Sequence, residues 1–179
     1  MRHAIQHSTP ASTANRMQGT VQGRAKLSYL PKDGVRSFGA KVFDASSLEM
    51  VELERAGVRG SLLKDLASEM AIPASRLYQI IGMPKATAEK KAAANEMIAG
   101  AAGQAVLGLV KLLALAHSIA ANSLAKEAKG FDAAKWLGLW IERPQPALGG
   151  KRPSDILDTP TGAAVVARLL GASESGAYQ

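Results

Sequence analysis

The stretch 61-SLLKDLASEMAIPASRLYQIIGMPKATAEKKAA-93 decides the fold class. Leu62, Leu63, Leu66, Ala67 and Met70 recur at the spacing of one helix face, and Ser61 stands where a helix N-cap belongs. Pro73 suits a helix start. Behind it Leu77, Ile80 and Ile81 form a second apolar face that Gly82 ends. A further helix follows Pro84 and carries Lys85, Thr87, Lys90 and Lys91. Three short helices with a Gly-containing turn before the last are the outline of a helix-turn-helix. Ala74–Ile81 is then the supporting helix and Lys85–Ala93 the recognition helix. Lys85 and Thr87 sit at the end that reaches base edges, with Lys90, Lys91 and Arg76 placed for phosphates. A plain three-helix packing unit with a charged outer face fits the same residues. Glu89 would oppose phosphate, and Ala88 is small for a helix anchor.

Working upstream, Ser47 is placed to cap a helix through Leu48, Val51, Leu53 and Ala56, ended by Gly57. Residues 1–45 read as a basic arm. Met1–Gly34 is polar with no sustained period and is expected to be disordered; Leu27–Leu30 and Val35–Phe43 are candidates for short ordered pieces. Downstream, a long helix is expected over about Ala102–Lys129. Its apolar run Ala105–Ala116 is interrupted by Lys111 and falls short of the roughly 20 residues of a membrane span, so it reads as a buried helix. Phe131–Ile141 reads as a helix with Trp136 and Trp140 one turn apart. Arg143–Gly150 reads as an irregular loop. Pro153 opens a short helix, and Thr159 caps a last one whose apolar face is Val165, Val166, Leu169 and Leu170, ended by Gly176.

Composition agrees with helices: 47% of the 179 residues are hydrophobic and only 4% aromatic. The net charge of +7 suggests an acidic partner, but residues 1–40 hold six bases and one acid, leaving the rest near neutral. With no cysteine, disulfides and thiolate chemistry are excluded, in agreement with a cytoplasmic protein. Met1–Gln22 does not read as a signal peptide. No catalytic constellation is legible, and neither a metal nor a cofactor is expected. His3, His7 and His117 are dispersed, and Gly149-Gly150-Lys151 is followed by Arg152 where a phosphate-binding loop needs Ser or Thr.

Trp140-Ile141, then Pro144-Gln145-Pro146-Ala147-Leu148-Gly149-Gly150, Pro153, Ile156-Leu157, Thr159, Gly162, Val166, Leu169-Leu170 and Gly176-Ala177-Tyr178 form an ordered series. This series resembles the toxin-binding domain of the Xre/MbcA/ParS-type bacterial antitoxins. Gln145 and Ala177 stand where that family usually has Asn and Val. Leu62–Lys91 resembles the family's Xre-like helix-turn-helix more weakly, being richer in Ala and poorer in Arg.

The resemblance implies an all-α protein with an arm over 1–45, an Xre-like helix-turn-helix over 46–98, a connecting helix over 99–130 and a toxin-binding domain over 131–179. It implies the antitoxin of a type II pair, which blocks the active site of a RES-domain toxin that consumes NAD or transfers ADP-ribose, and which also binds its operator DNA. The toxin footprint would comprise Trp140, Pro144, Leu148, Gly149, Gly150, Pro153, Gly176, Ala177, Tyr178 and Gln179. A homodimer within a toxin–antitoxin hetero-oligomer is expected. The alternative is a DNA-binding repressor with no toxin partner.

Overall fold

The computed structural model describes residues 27–122 and 130–174. A 3-10 turn at Pro31–Asp33 leads into α1 (Gly34–Phe43), followed by α2 (Ser47–Ala56) and a two-residue strand β1 (Val58–Arg59). Next come α3 (Ser61–Glu69), α4 (Ala74–Ile80), α5 (Lys85–Ala93) and strand β2 (Met97–Ile98). The long α6 (Gly100–Asn122), α7 (Ala133–Trp140) and α8 (Pro160–Glu174) complete the chain, with 3-10 turns at Pro146–Leu148 and Pro153–Asp155.

The organising element is α6. Eleven of its residues, among them Val106, Leu107, Leu109, Val110, Leu112 and Leu113, are buried around most of its circumference. By length and composition α6 could cross a membrane. Its apolarity is instead explained by the helices α1, α2, α7 and α8 packed on it. Small residues set the close crossings. Gly39 of α1 lies on Ala114, and a methyl group on Gly108 would come within 2.9 Å of the Ala163 side chain on α8. One buried cluster runs from Tyr29 to Leu170 and takes residues from every described α-helix.

Three short helices are present where the sequence placed them. α4 and α5 begin directly after Pro73 and Pro84, and α3 packs against both. Ala88 and Ala92 are the buried face of α5. The small Ala88 is fully buried and lets α5 lie close on α3, so it anchors the helix after all.

Several expectations are corrected. The arm does not extend to residue 45: Tyr29, Val35, Phe38 and Val42 are buried in the core. The Tyr29 ring meets Phe38 edge-on at 5.4 Å, and its hydroxyl donates to Asp65 on α3 at 2.5 Å. Burial first, and then that carboxylate, push the Tyr29 pKa up. The candidate ordered piece Val35–Phe43 is helical, and the sequence understated it because its buried stripe is only Val35, Phe38 and Val42. Residues 1–26 of the expected arm, and the expected continuation of α6 over 123–129, lie outside the described residues.

The fold is also not purely helical. β1 and β2 pair antiparallel, Val58 with Ile98 and Arg59 with Met97, and clasp the two ends of the three-helix unit. Strands of two residues leave no periodic signal to read.

Two caps differ as well. Ser46, not Ser47, caps α2, in a reciprocal box with Glu49. Ser61 is inside α3, and its backbone N–H donates to Asn95 Oδ1 at 3.1 Å, so the cap comes from 34 residues away.

Phe38→Ala should lower unfolding free energy by about 3–5 kcal/mol, the usual cost of emptying a buried aromatic site. Denaturant titration checks this, and a loss within error would return the segment to the arm.

Candidate functional site

Asp132 caps α7 by accepting the Lys135 backbone N–H at 3.0 Å. Ala133, Ala134, Leu137 and Gly138 face the core. Gly138 is required by crowding: a methyl group there would strike the Met70 carbonyl at the end of α3. The opposite face is aromatic. Trp136 and Trp140 stack at 5.8 Å and 21°, and Phe131 tilts against Trp136 at 5.9 Å. Both tryptophans are half-buried at the edge of the core, while Phe131 is 45% and Leu139 56% exposed. The two tryptophans therefore share one environment, half core and half surface. Phe131 and Leu139 are surface residues that sequence reasoning missed, because Leu139 falls among apolar neighbours whose partners only the fold defines.

The segment after α7 is a self-braced loop that contains a 3-10 turn, where no regular piece was expected. The Gln145 N–H donates to the Lys151 carbonyl at 3.0 Å, and the Gly150 N–H donates back to the Gln145 carbonyl at 3.0 Å. Gly149 and Gly150 take φ of +62° and +81°, a region that favours glycine. No atom lies within 4 Å of the Cβ either would carry, so conformation demands glycine here and the space above stays open. Pro144 is exposed, whereas Leu148 is half-buried. Pro153 is buried, so it shapes the turn and is not available as a contact. Thr159 caps α8 as expected, accepting the Gly162 N–H at 3.0 Å. Gly176, Ala177, Tyr178 and Gln179 lie outside the described residues.

Arg76 is corrected most. Its guanidinium grips Glu142 with two hydrogen bonds, Nε to Oε1 at 2.7 Å and Nη2 to Oε2 at 3.0 Å. Nη2 also reaches Ser154 Oγ at 3.1 Å, and Nη1 reaches Gln79 at 3.1 Å. Four of its five N–H donors are spent inside the protein, which leaves Arg76 no free two-pronged fork for a phosphate. Glu142 follows the end of α7, and Ser154 lies in the turn after the loop. Arg76 thus ties α4 to both ends of the loop. Arg152 adds to this network, 3.5 Å from Glu142 and 2.8 Å from Asp155.

On α5, Lys85, Thr87 and Lys90 are exposed as expected. Lys85 lies 3.8 Å from Glu89. Lys91 turns toward the start of β2, donating to the Met97 carbonyl at 3.0 Å and pairing with Glu96 at 3.5 Å. His117 is half-buried on α6; burial, and then the nearby Arg36, hold its pKa below the ordinary value. No group of three or more potential metal ligands occurs among the described residues.

Residues 131–176 match the antitoxin Xre/MbcA/ParS C-terminal toxin-binding domain. The chain is also 36% identical over 137 residues to a protein of Sphingobium sp. (strain YBL2) described as a Prs ADP-ribosylating antitoxin. That alignment covers 76% of this chain and 85% of the relative. The matched domain begins at Phe131 and contains the aromatic ledge and the braced loop.

Arg76→Ala should leave Glu142 and Ser154 without their shared donor and cost about 1–2 kcal/mol, discounted for partial exposure. Amide exchange in residues 143–151 should accelerate while α5 is unchanged. Unaltered exchange in the loop would show that Arg76 does not brace it.

Proposed function

The chain belongs to the Xre/MbcA/ParS family of antitoxins, and from that premise we propose that it neutralises an ADP-ribosylating toxin of the RES-domain type by covering the toxin's substrate cleft. Antitoxins are binding proteins and not enzymes, and this one acts through its C-terminal domain. The observation that supports the reading is a rigid loop with open space above Gly149 and Gly150 in the same matched domain as Trp140, Leu139 and Phe131. A loop closed by its own backbone hydrogen bonds loses little further entropy on binding. Stacked aromatics at the surface supply the large, stiff contact area on which binding hot spots depend.

In this reading Trp140, Leu139 and Phe131 grip the toxin and the Pro144–Gly150 loop sets the register. The tail residues Gly176, Ala177, Tyr178 and Gln179 complete the footprint at the cleft. The toxin's reaction consumes NAD, so an antitoxin seated over the cleft competes with the dinucleotide for access.

The α4–α5 pair supports a second role in binding operator DNA, with Lys85, Thr87 and Lys90 exposed along one helix. Arg76 and Lys91 are engaged elsewhere and take no direct part. A repressor with no toxin partner gives way to the family assignment.

The test is titration of the toxin's NAD-consuming activity with the antitoxin and two variants. Trp140→Ala should weaken inhibition at least tenfold, since a buried aromatic hot spot contributes about 2 kcal/mol or more. Deletion of residues 176–179 should weaken inhibition while preserving thermal stability. Full inhibition by both variants would overturn cleft occlusion by this face. Separately, Lys90→Ala should weaken DNA binding alike for all sequences and lower its log–log salt slope by about one, while leaving inhibition intact.

A further inference from the structure

We propose that the groove between α2, α6 and α8, together with the polar cavity beside it, binds a fatty carboxylate, the acyl chain lying in the groove and the carboxylate at Arg36, His117 and Ser118. The groove has a volume of about 440 Å³, within the roughly 300–1,000 Å³ of small-molecule pockets. Met50 of α2 and Leu112 and Leu115 of α6 wall it, and α8 faces it with Ala163, Ala164 and Ala167. Three alanines in one wall leave room that longer apolar side chains would fill. Phe43, which is 55% exposed, stands in the wall of this groove and also of a second cavity of about 240 Å³. On α6, Leu115 borders the groove and Ser118 the second cavity, and residues three apart are neighbours on a helix surface. The two spaces therefore meet across Phe43, one apolar and one polar.

The polar cavity carries unused donors. Arg36, His117 and Ser118 line it. His117 Nε2 is buried and has no hydrogen-bond partner among the described residues. Arg36 forms no ion pair there, and the Ser118 hydroxyl no hydrogen bond. Buried polar atoms are nearly always satisfied, so an orphaned ring nitrogen beside a cavity points to something bound in that cavity. Charge selects the head group. The strongest charge acting on His117 is that of Arg36, ahead of Glu69 on α3 and Asp132 before α7. Burial and Arg36 keep the imidazole neutral, and a neutral ring can carry its proton on Nε2. A guanidinium fork, a ring N–H and a hydroxyl around one cavity suit a planar anion with two oxygens. A cationic amphiphile would meet Arg36 as a like charge. Asp44 lies in the same wall and repels an anion, but it stands about two turns of α1 beyond Arg36, which puts the carboxylate at the Arg36 end. The site uses none of the residues assigned to toxin or to DNA.

The test is calorimetric titration of the full chain with octanoate below its micellar concentration, beside octanol and acetate. Octanoate should bind saturably, octanol at least about tenfold more weakly because it lacks the charge that Arg36 pairs with, and acetate not measurably. Arg36→Ala should weaken octanoate at least about tenfold and leave octanol unchanged, a split that a general structural defect would not produce. Ala164→Trp, at an exposed position on the groove wall, should abolish binding of both with circular dichroism and melting temperature retained. Both variants should still inhibit the toxin, which separates this site from toxin recognition. No binding of octanoate, equal affinity for octanol, or unchanged octanoate affinity in either variant would overturn the proposal. Capture of the chain on anionic phospholipid vesicles without binding of free octanoate would assign the site to a lipid surface and overturn it equally. Loss of toxin binding in Ala164→Trp with octanoate binding unaltered would assign the groove to the toxin instead.

Discussion

Everything in this protein hangs on the burial of α6. A 23-residue helix that is apolar on nearly all sides has no stable place in water by itself, so other elements must surround it. α1 and α8 press closest, at Gly39 and Gly108, where the lack of a side chain lets helix axes approach. Once α6 is enclosed, the three-helix unit that precedes it and the α7–α8 segment that follows are held on one core. The segment 27–43 belongs to that core, because α1 packs on α6 as extensively as α8 does.

Sharing a core brings two surfaces of different character into fixed relation. The face of α5 is cationic and polar, while the face of α7 and its loop is aromatic and rigid. Arg76 lies between them. Its pairing with Glu142 spans 66 residues of sequence and is partly shielded from solvent. Ion pairs of this kind contribute modest net stability, since desolvation offsets much of the Coulombic gain. Their geometric contribution is larger: a two-pronged bond to Glu142 and a third contact at Ser154 restrict both ends of the loop relative to α4. Whatever engages the loop therefore works against a support anchored in the three-helix unit.

Local physics made much of this legible in the sequence. α3, α4 and α5 were readable because proline and glycine punctuate them and each apolar face follows the helical period. The last helix was readable from Thr159 and Pro160, and the loop from its prolines and paired glycines. The ordered series from Trp140 onward carried the family. Misreadings came where the deciding partner is distant or the signal short. Ser61 looks like a cap, but Asn95 performs that task. Arg76 and Lys91 look like phosphate ligands on a helix surface, but Glu142 and the Met97 carbonyl claim them.

The sequence by itself determined most of the helical segments, α1 excepted, and where the toxin-binding domain lies, because those properties depend on residues within a few positions of one another. Only the tertiary structure decided which exposed-looking cations are free, which aromatic residues reach the surface and how far the core extends toward the N-terminus. A hydrogen bond such as Arg76–Glu142, a ring contact such as Tyr29–Phe38 and the pairing of β1 with β2 each require two segments to meet. No local pattern records that meeting. It follows from the single requirement that α6 be covered, which selects among the possible arrangements of helices and then dictates what each surface residue finds beside it.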